Sequence, residues 1–109
     1  MEKLRFHFDG GKVAPAATPA RIVGVVASGN LEVLIEALPG DTACAIEVAT
    51  VARGFGAIWQ AVMNDFFARH PLGGVRIAIN DAGATPAIVS LRLDQAVEEF
   101  TRPRERRHG

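Results

Sequence analysis

Among the residues of this chain, Ser28 has the setting best suited to chemistry. It lies within Arg21-Ile22-Val23-Gly24-Val25-Val26-Ala27-Ser28-Gly29-Asn30-Leu31-Glu32-Val33-Leu34-Ile35-Glu36, between two β-rich runs and with only Ala27 and Gly29 beside it. A hydroxyl at a tight turn with small neighbours can be reached by a second protein. Other candidates are weaker. Ser28, His70 and Asp81 could meet in space as a nucleophile, base and acid, because such sets are defined by geometry and not by order. No nucleophile elbow or oxyanion motif accompanies them. His7, His70 and His108 are scattered, with no His or Cys at metal-ligand spacing. Gly10-Gly11 and Gly54-Phe55-Gly56 lack the strand-glycine-helix context of a phosphate loop and read as turns. Glu32, Glu36 and Glu47 read as a solvated sheet face rather than an acid-base set, and Trp59 as core rather than a stacking platform. The second feature of interest is Asn80-Asp81-Ala82-Gly83-Ala84-Thr85-Pro86, an acid and an open helix start after an apolar strand. Free amides at a helix start attract phosphate. The ordinary reading is a Thr85 cap with Asp81 bracing the turn.

Elements must hold these residues in place. Leu4 to Phe8 alternates as a strand should, and Asp9-Gly10-Gly11 ends it. Val13 to Ala20, with Pro15, Pro19 and several alanines, reads as a loop. Ile22 to Ala27 is β-branched and apolar, the mark of a strand. Ser28-Gly29 fits a two-residue hairpin turn. In the next strand Leu31, Val33 and Ile35 share one face. Leu38-Pro39-Gly40-Asp41 signals a turn, and Thr42 to Val51 a further strand with Cys44, Ile46 and Val48 on one side. From Ala57 to Arg69 the period becomes helical, with Ile58, Val62 and Phe66 as a stripe widened by Trp59, Met63 and Phe67. His70-Pro71-Leu72-Gly73-Gly74 stops that helix, and His70 suits the negative end of its dipole. Val75, Ile77 and Ile79 alternate as a strand. Thr85-Pro86 opens a second helix with Val89, Leu93, Ala96, Val97 and Phe100 on one face. The order β, β-β, β, α, β, α predicts an α+β two-layer sandwich: a mostly antiparallel sheet of four to five strands with two helices on one face.

Composition bounds the partners. The 109 residues fit one domain, read as 1–101 with a basic tail at 102–109 carrying Arg102, Arg104, Arg106 and Arg107. Twelve basic residues balance twelve acidic ones, so no broad field attracts nucleic acid or anionic lipid. No apolar run approaches the roughly 20 residues of a membrane span. A single cysteine, Cys44, excludes an internal disulfide, fits a cytoplasmic setting, and reads as a small buried apolar residue.

Two segments resemble a known family. Gly24-Val25-Val26-Ala27-Ser28-Gly29-Asn30-Leu31-Glu32-Val33-Leu34 is similar to the modification segment of the acyl carrier (delta) subunit of bacterial malonate decarboxylase. Asp81-Ala82-Gly83-Ala84-Thr85-Pro86, with a helix ending in Gln95-Ala96-Val97-Glu98-Glu99, resembles the C-terminal part of that family. The likeness runs in register from Val23 to Phe100, more weakly in the middle. The citrate lyase carrier is a more distant relative in pattern. Ala27 and Ala82 stand where the family pattern leads one to expect a glycine and a larger residue. Lys12 to Ala20 and the arginine-rich tail look like local additions.

The resemblance implies a carrier without catalysis of its own. It implies that the serine matching Ser28 bears a covalent phosphoribosyl-dephospho-CoA arm through a phosphodiester, ending in a thiol. Gly29, Asp81, Gly83 and Thr85 would neighbour the arm or its phosphates. Acetyl and malonyl groups would ride on it as thioesters between a transferase subunit and the carboxy-lyase subunits, with a prosthetic-group transferase and a malonyl transacylase as further partners. Helical-bundle carrier proteins bear an Asp-Ser-Leu motif, which is absent here, so that fold is not expected. The alternatives are a citrate lyase-type carrier, a small hydrolase or binding module, and a structural adaptor.

Overall fold

The computed structural model describes residues 1–13, 22–27, 30–38 and 40–101. In chain order the elements are β1 (Glu2–Phe8), β2 (Lys12–Val13), β3 (Ile22–Ala27), β4 (Leu31–Ala37), β5 (Cys44–Thr50), α1 (Gly56–Arg69), β6 (Leu72–Gly73), β7 (Val75–Asp81) and α2 (Pro86–Thr101). Five strands form one sheet in the order β1-β5-β7-β4-β3, while β2 and β6 pair separately. All neighbours in the large sheet are antiparallel except β5 and β7, which are parallel. A parallel pair needs a crossover, and α1 supplies it. The expected α+β layering, with helices on one face, is the observed one.

The alternation along each strand decides which face the helices cover. Phe6, Ile46, Ile77 and Ile35 lie side by side across four strands and all are buried. Leu4, Val48, Ile79 and Val33 form the next row. Trp59, Met63 and Phe66 from α1 and Val89, Leu93, Ala96 and Val97 from α2 close over that face. The opposite face carries a polar ladder, where Arg76 reaches Glu47 at 2.9 Å and Glu36 at 3.4 Å. Partly exposed ion pairs of this kind contribute about 0–1 kcal/mol each. Burying one isoleucine contributes about 1.5–3 kcal/mol. The apolar rows therefore set the fold, and the ion pairs decorate it.

Three local expectations need correction. Ile58, placed in the α1 stripe, is 46% exposed. The buried face is Trp59-Met63-Phe66, rotated so that the indole packs inward and Phe67 stacks on Phe8 at 4.7 Å between centroids. Val13, expected to begin a loop, pairs instead with Gly73 in the short parallel bridge. The chains approach so closely there that a Cβ on Gly73 would sit 2.8 Å from the Thr42 carbonyl oxygen. Only glycine admits that contact. The third concerns the hairpin register. β3 carries one extra residue between Val23 and Val26, a bulge in the stretch that contains Gly24. Ala27 pairs with Glu32, not with Asn30 as a two-residue Ser28-Gly29 turn requires, so the connection is longer than that turn even before the bulge.

The far end of the sheet is tied by charge. Asp94 on α2 meets Arg69 at 2.5 Å and His70 at 3.0 Å, and Arg69 also holds Asp65. Partial burial of Asp94 opposes its charge, but hydrogen bonds from Arg69 and His70 and their positive field more than offset this. Its carboxyl is held below the ordinary 3.8. The stability this adds is complete above that value and lost as pH falls through the lower folded value. Asp94→Asn should lower the urea midpoint at pH 7, and the gap to the parent should narrow as pH falls below 3.8. A gap that persists unchanged in acid would exclude this account.

Candidate functional site

Strand register gathers three connections at one end of the sheet. Glu2, Thr50, Asp81 and Leu31 are neighbours there, on β1, β5, β7 and β4. The β3–β4 connection, the β5–α1 loop and the β7–α2 loop therefore share that end. Ser28 and Gly29 lie outside the described residues. The chain on either side is held firmly: Ala27 pairs with Glu32, and the Asn30 carbonyl accepts from Ala82 N–H at 2.8 Å.

Asp81 organises this end. It is 5% exposed. Its Oδ2 accepts from the Thr50 hydroxyl at 2.7 Å, and its Oδ1 accepts from the N–H groups of Gly83 at 3.2 Å and Ala84 at 2.8 Å. Its backbone carbonyl accepts from Val51 N–H at 3.1 Å. Thr50 Oγ1 in turn accepts from Ala52 N–H at 3.1 Å. One carboxylate thus fixes the β7–α2 loop and the start of the β5–α1 loop. Gly83 turns with φ of 111°, a left-handed value that a side chain would strain. Thr85 Oγ1 then accepts from Ile88 N–H at 3.3 Å as the cap of α2, in agreement with the Thr85-Pro86 signal.

The expected residues are thus sorted by position. Gly83 and Thr85 are exposed beside Asn30's partner Ala82, whereas Asp81 points inward with both oxygens engaged. Asp81 braces the turn, as in the ordinary reading. The alternative set of Ser28, His70 and Asp81 does not assemble. His70 caps the other end of α1 and its Nε2 faces Asp94 at 3.0 Å. That end is separated from Asp81 by the length of β7, on the order of 20 Å for seven residues. Cys44 is fully buried at the same far end, and burial pushes its thiol up to about 11, so it stays protonated and inert. Among the described residues no cluster of His, Cys, Asp and Glu could hold a metal ion, and no helix is long and apolar enough to cross a membrane.

Thr50 is the member of this hydrogen-bonded end that the sequence reading missed. It breaks the inward series Cys44, Ile46, Val48 with a hydroxyl, and a polar group in an inward register position must find a partner. That break was the available signal.

The site end thus belongs to a small α+β domain in which the connection bearing Ser28 is flanked by strand pairing on one side and by the loop that Asp81 braces on the other. The sequence model of the malonate decarboxylase delta subunit (MdcD) acyl carrier matches residues 18–100. It begins within the Ala/Pro stretch and stops before the arginine-rich tail. Similar proteins include malonate decarboxylase acyl carrier protein from Xanthomonas euvesicatoria, 65% identical over 90% of this chain and 93% of the relative. That of Burkholderia cepacia is 60% identical, over 91% and 90%. A chain in the crystal structure of a Pseudomonas malonate decarboxylase hetero-tetramer in complex with malonate superposes with a TM-score of 0.68 at 39% identity, over 90% of this chain and 97% of that one. The chain belongs to the family of malonate decarboxylase acyl carrier proteins.

Replacing Asp81 tests the brace. Asp81→Ala leaves the Thr50 hydroxyl and two amides without an acceptor, each worth about 1–3 kcal/mol when buried. The urea midpoint should fall, and amide exchange at Gly83 and Ala84 should accelerate more than at Ile77. Equal acceleration at all three would show that the carboxylate is not a local anchor.

Proposed function

We propose that this chain carries acetyl and malonyl groups within a malonate decarboxylase, on a phosphoribosyl-dephospho-CoA arm joined to Ser28 by a phosphodiester. The observation that supports this most is family membership over residues 18–100, a span that contains the Ser28 segment. The surroundings fit such a group. Ala82 and Gly83 are small and exposed, the chain at Asn30 is fixed to Ala82, and a cleft opens along the same edge. When attached, the arm supplies a terminal thiol on which acyl groups ride as thioesters.

The chain's own contribution is mechanical. The β3–β4 pairing and the Asn30–Ala82 bond hold the base of the attachment, while small neighbours keep it open to the enzyme that loads it. Gly29, Gly83 and Thr85 border the path of the arm, and Asp81 acts on it only through the loop it fixes. Tethering keeps the acyl group at an effective concentration on the order of mM at each partner site. The partners are the transferase and carboxy-lyase subunits, the prosthetic-group transferase and a malonyl transacylase, all in the cytoplasm. The chain is a carrier and not a catalyst.

The inert Cys44 makes the test direct, since it should not react in the folded protein. Carrier isolated from its native complex should show a CoA-sized mass adduct on Ser28 and one reactive thiol per folded chain. Ser28→Ala should show neither, with an unchanged circular dichroism spectrum. Full decarboxylase activity in a complex whose Ser28 is bare would refute the proposal.

A further inference from the structure

The end of the sheet also carries a cleft of about 230 Å³, whose lining includes Met1, Asn30, Glu32, Ala49, Val51 and Asn80. It is smaller than the roughly 300–1,000 Å³ of sites that enclose a drug-sized ligand, so it takes a fragment. The apolar surface comes from Val51, 54% exposed, with Ala49 and the exposed Met1 beside it, while Leu31 turns its side chain into the core and is 2% exposed. The polar edge is one-sided. Asn80 Nδ2 donates to Glu32 Oε1 at 3.1 Å, so what faces the cleft is the Glu32 carboxylate and the Asn80 carbonyl oxygen. That carbonyl has no partner among the described residues. Two acceptors beside an apolar slot recognise a flat, uncharged ring bearing an amino group. They repel phosphate, and the Asp81 carboxylate close by adds to that repulsion.

We propose that this cleft is a nucleoside subsite that seats the adenine of the covalent arm, with the ring against Val51 and Met1 and its amino group donating to Glu32 and Asn80. The inference rests on the arm proposed above. Asn30, in the lining, follows Ser28 by two residues, and two residues of extended chain span at most about 7 Å. The base of an arm starting there lies near enough to fold back. Docking of the base would leave the thiol-bearing end free while shortening the length that swings. Weak intrinsic affinity suffices, because the tether itself supplies a concentration on the order of mM.

The test uses isotope-labelled full-length chain. In carrier whose arm is verified by mass, nuclear Overhauser contacts should join adenine H2 or H8 to the methyls of Val51 and Met1. In Ser28→Ala chain, free adenosine at about 10 mM should shift the resonances of Asn80, Glu32, Val51 and Ala82. Ribose 5-phosphate should not. Val51→Asp, at an exposed position, should weaken the adenosine response at least about tenfold without changing the fold. A verified arm with no contacts to these methyls, an adenosine response elsewhere or insensitive to Val51→Asp, or a response to ribose 5-phosphate instead would each overturn the subsite. An absent arm with a normal adenosine response would strike the carrier reading and not the cleft.

Discussion

The arrangement at the functional end depends on one buried carboxylate. Asp81 sits at the last position of β7, the central strand, between β4 and β5. From there it binds Thr50 on β5 and the amides that begin the loop to α2. Removing a carboxylate from water is costly unless donors replace the solvent, and three donors do so here. That requirement is also what makes it an organiser: the donors must converge, so two loops and a strand end are held in one arrangement.

The position of Asp81 follows from topology. Because β5 and β7 run parallel with α1 crossing between them, both strands finish at the same end, where antiparallel β4 begins. In open sheets, ligand sites gather at the carboxyl ends of parallel strands. A single parallel pair gives this sheet such an end on a small scale. The connection bearing Ser28, the α2 cap and the cleft all belong to that edge, while the ion-paired Arg69, His70 and Asp94 and the buried Cys44 occupy the opposite one.

Much of this was legible in the residues. Period-two alternation marked the main strands, and Thr85-Pro86 marked the start of α2, because both signals are local. What escaped depended on contacts between distant segments. Thr50 and Asp81 are 31 residues apart, and the inward hydroxyl of the one does not by itself name the carboxylate of the other as its partner. The β2–β6 bridge is two residues long, below what periodicity can register, and exists because Gly11 and Gly73 let backbones touch. The register at the hairpin departs from a two-residue turn by two positions beside the turn and by one beyond the extra residue in β3 near Gly24, a change that leaves the apolar composition intact. Ile58 was misplaced because α1 is apolar over more than one stripe, and only packing against the sheet chooses between them. The Ser28 and Gly29 expectation, like the tail at 102–109, falls outside the described residues.

Cys44 has a consequence for acyl traffic. Thioesters migrate readily between neighbouring thiolates, and a second accessible sulfur on a carrier would siphon cargo from the arm or close an oxidised ring with it. With its one thiol enclosed at the far end of the sheet and kept protonated, the polypeptide itself offers an acyl group no competing resting place. Silence at that position keeps delivery faithful.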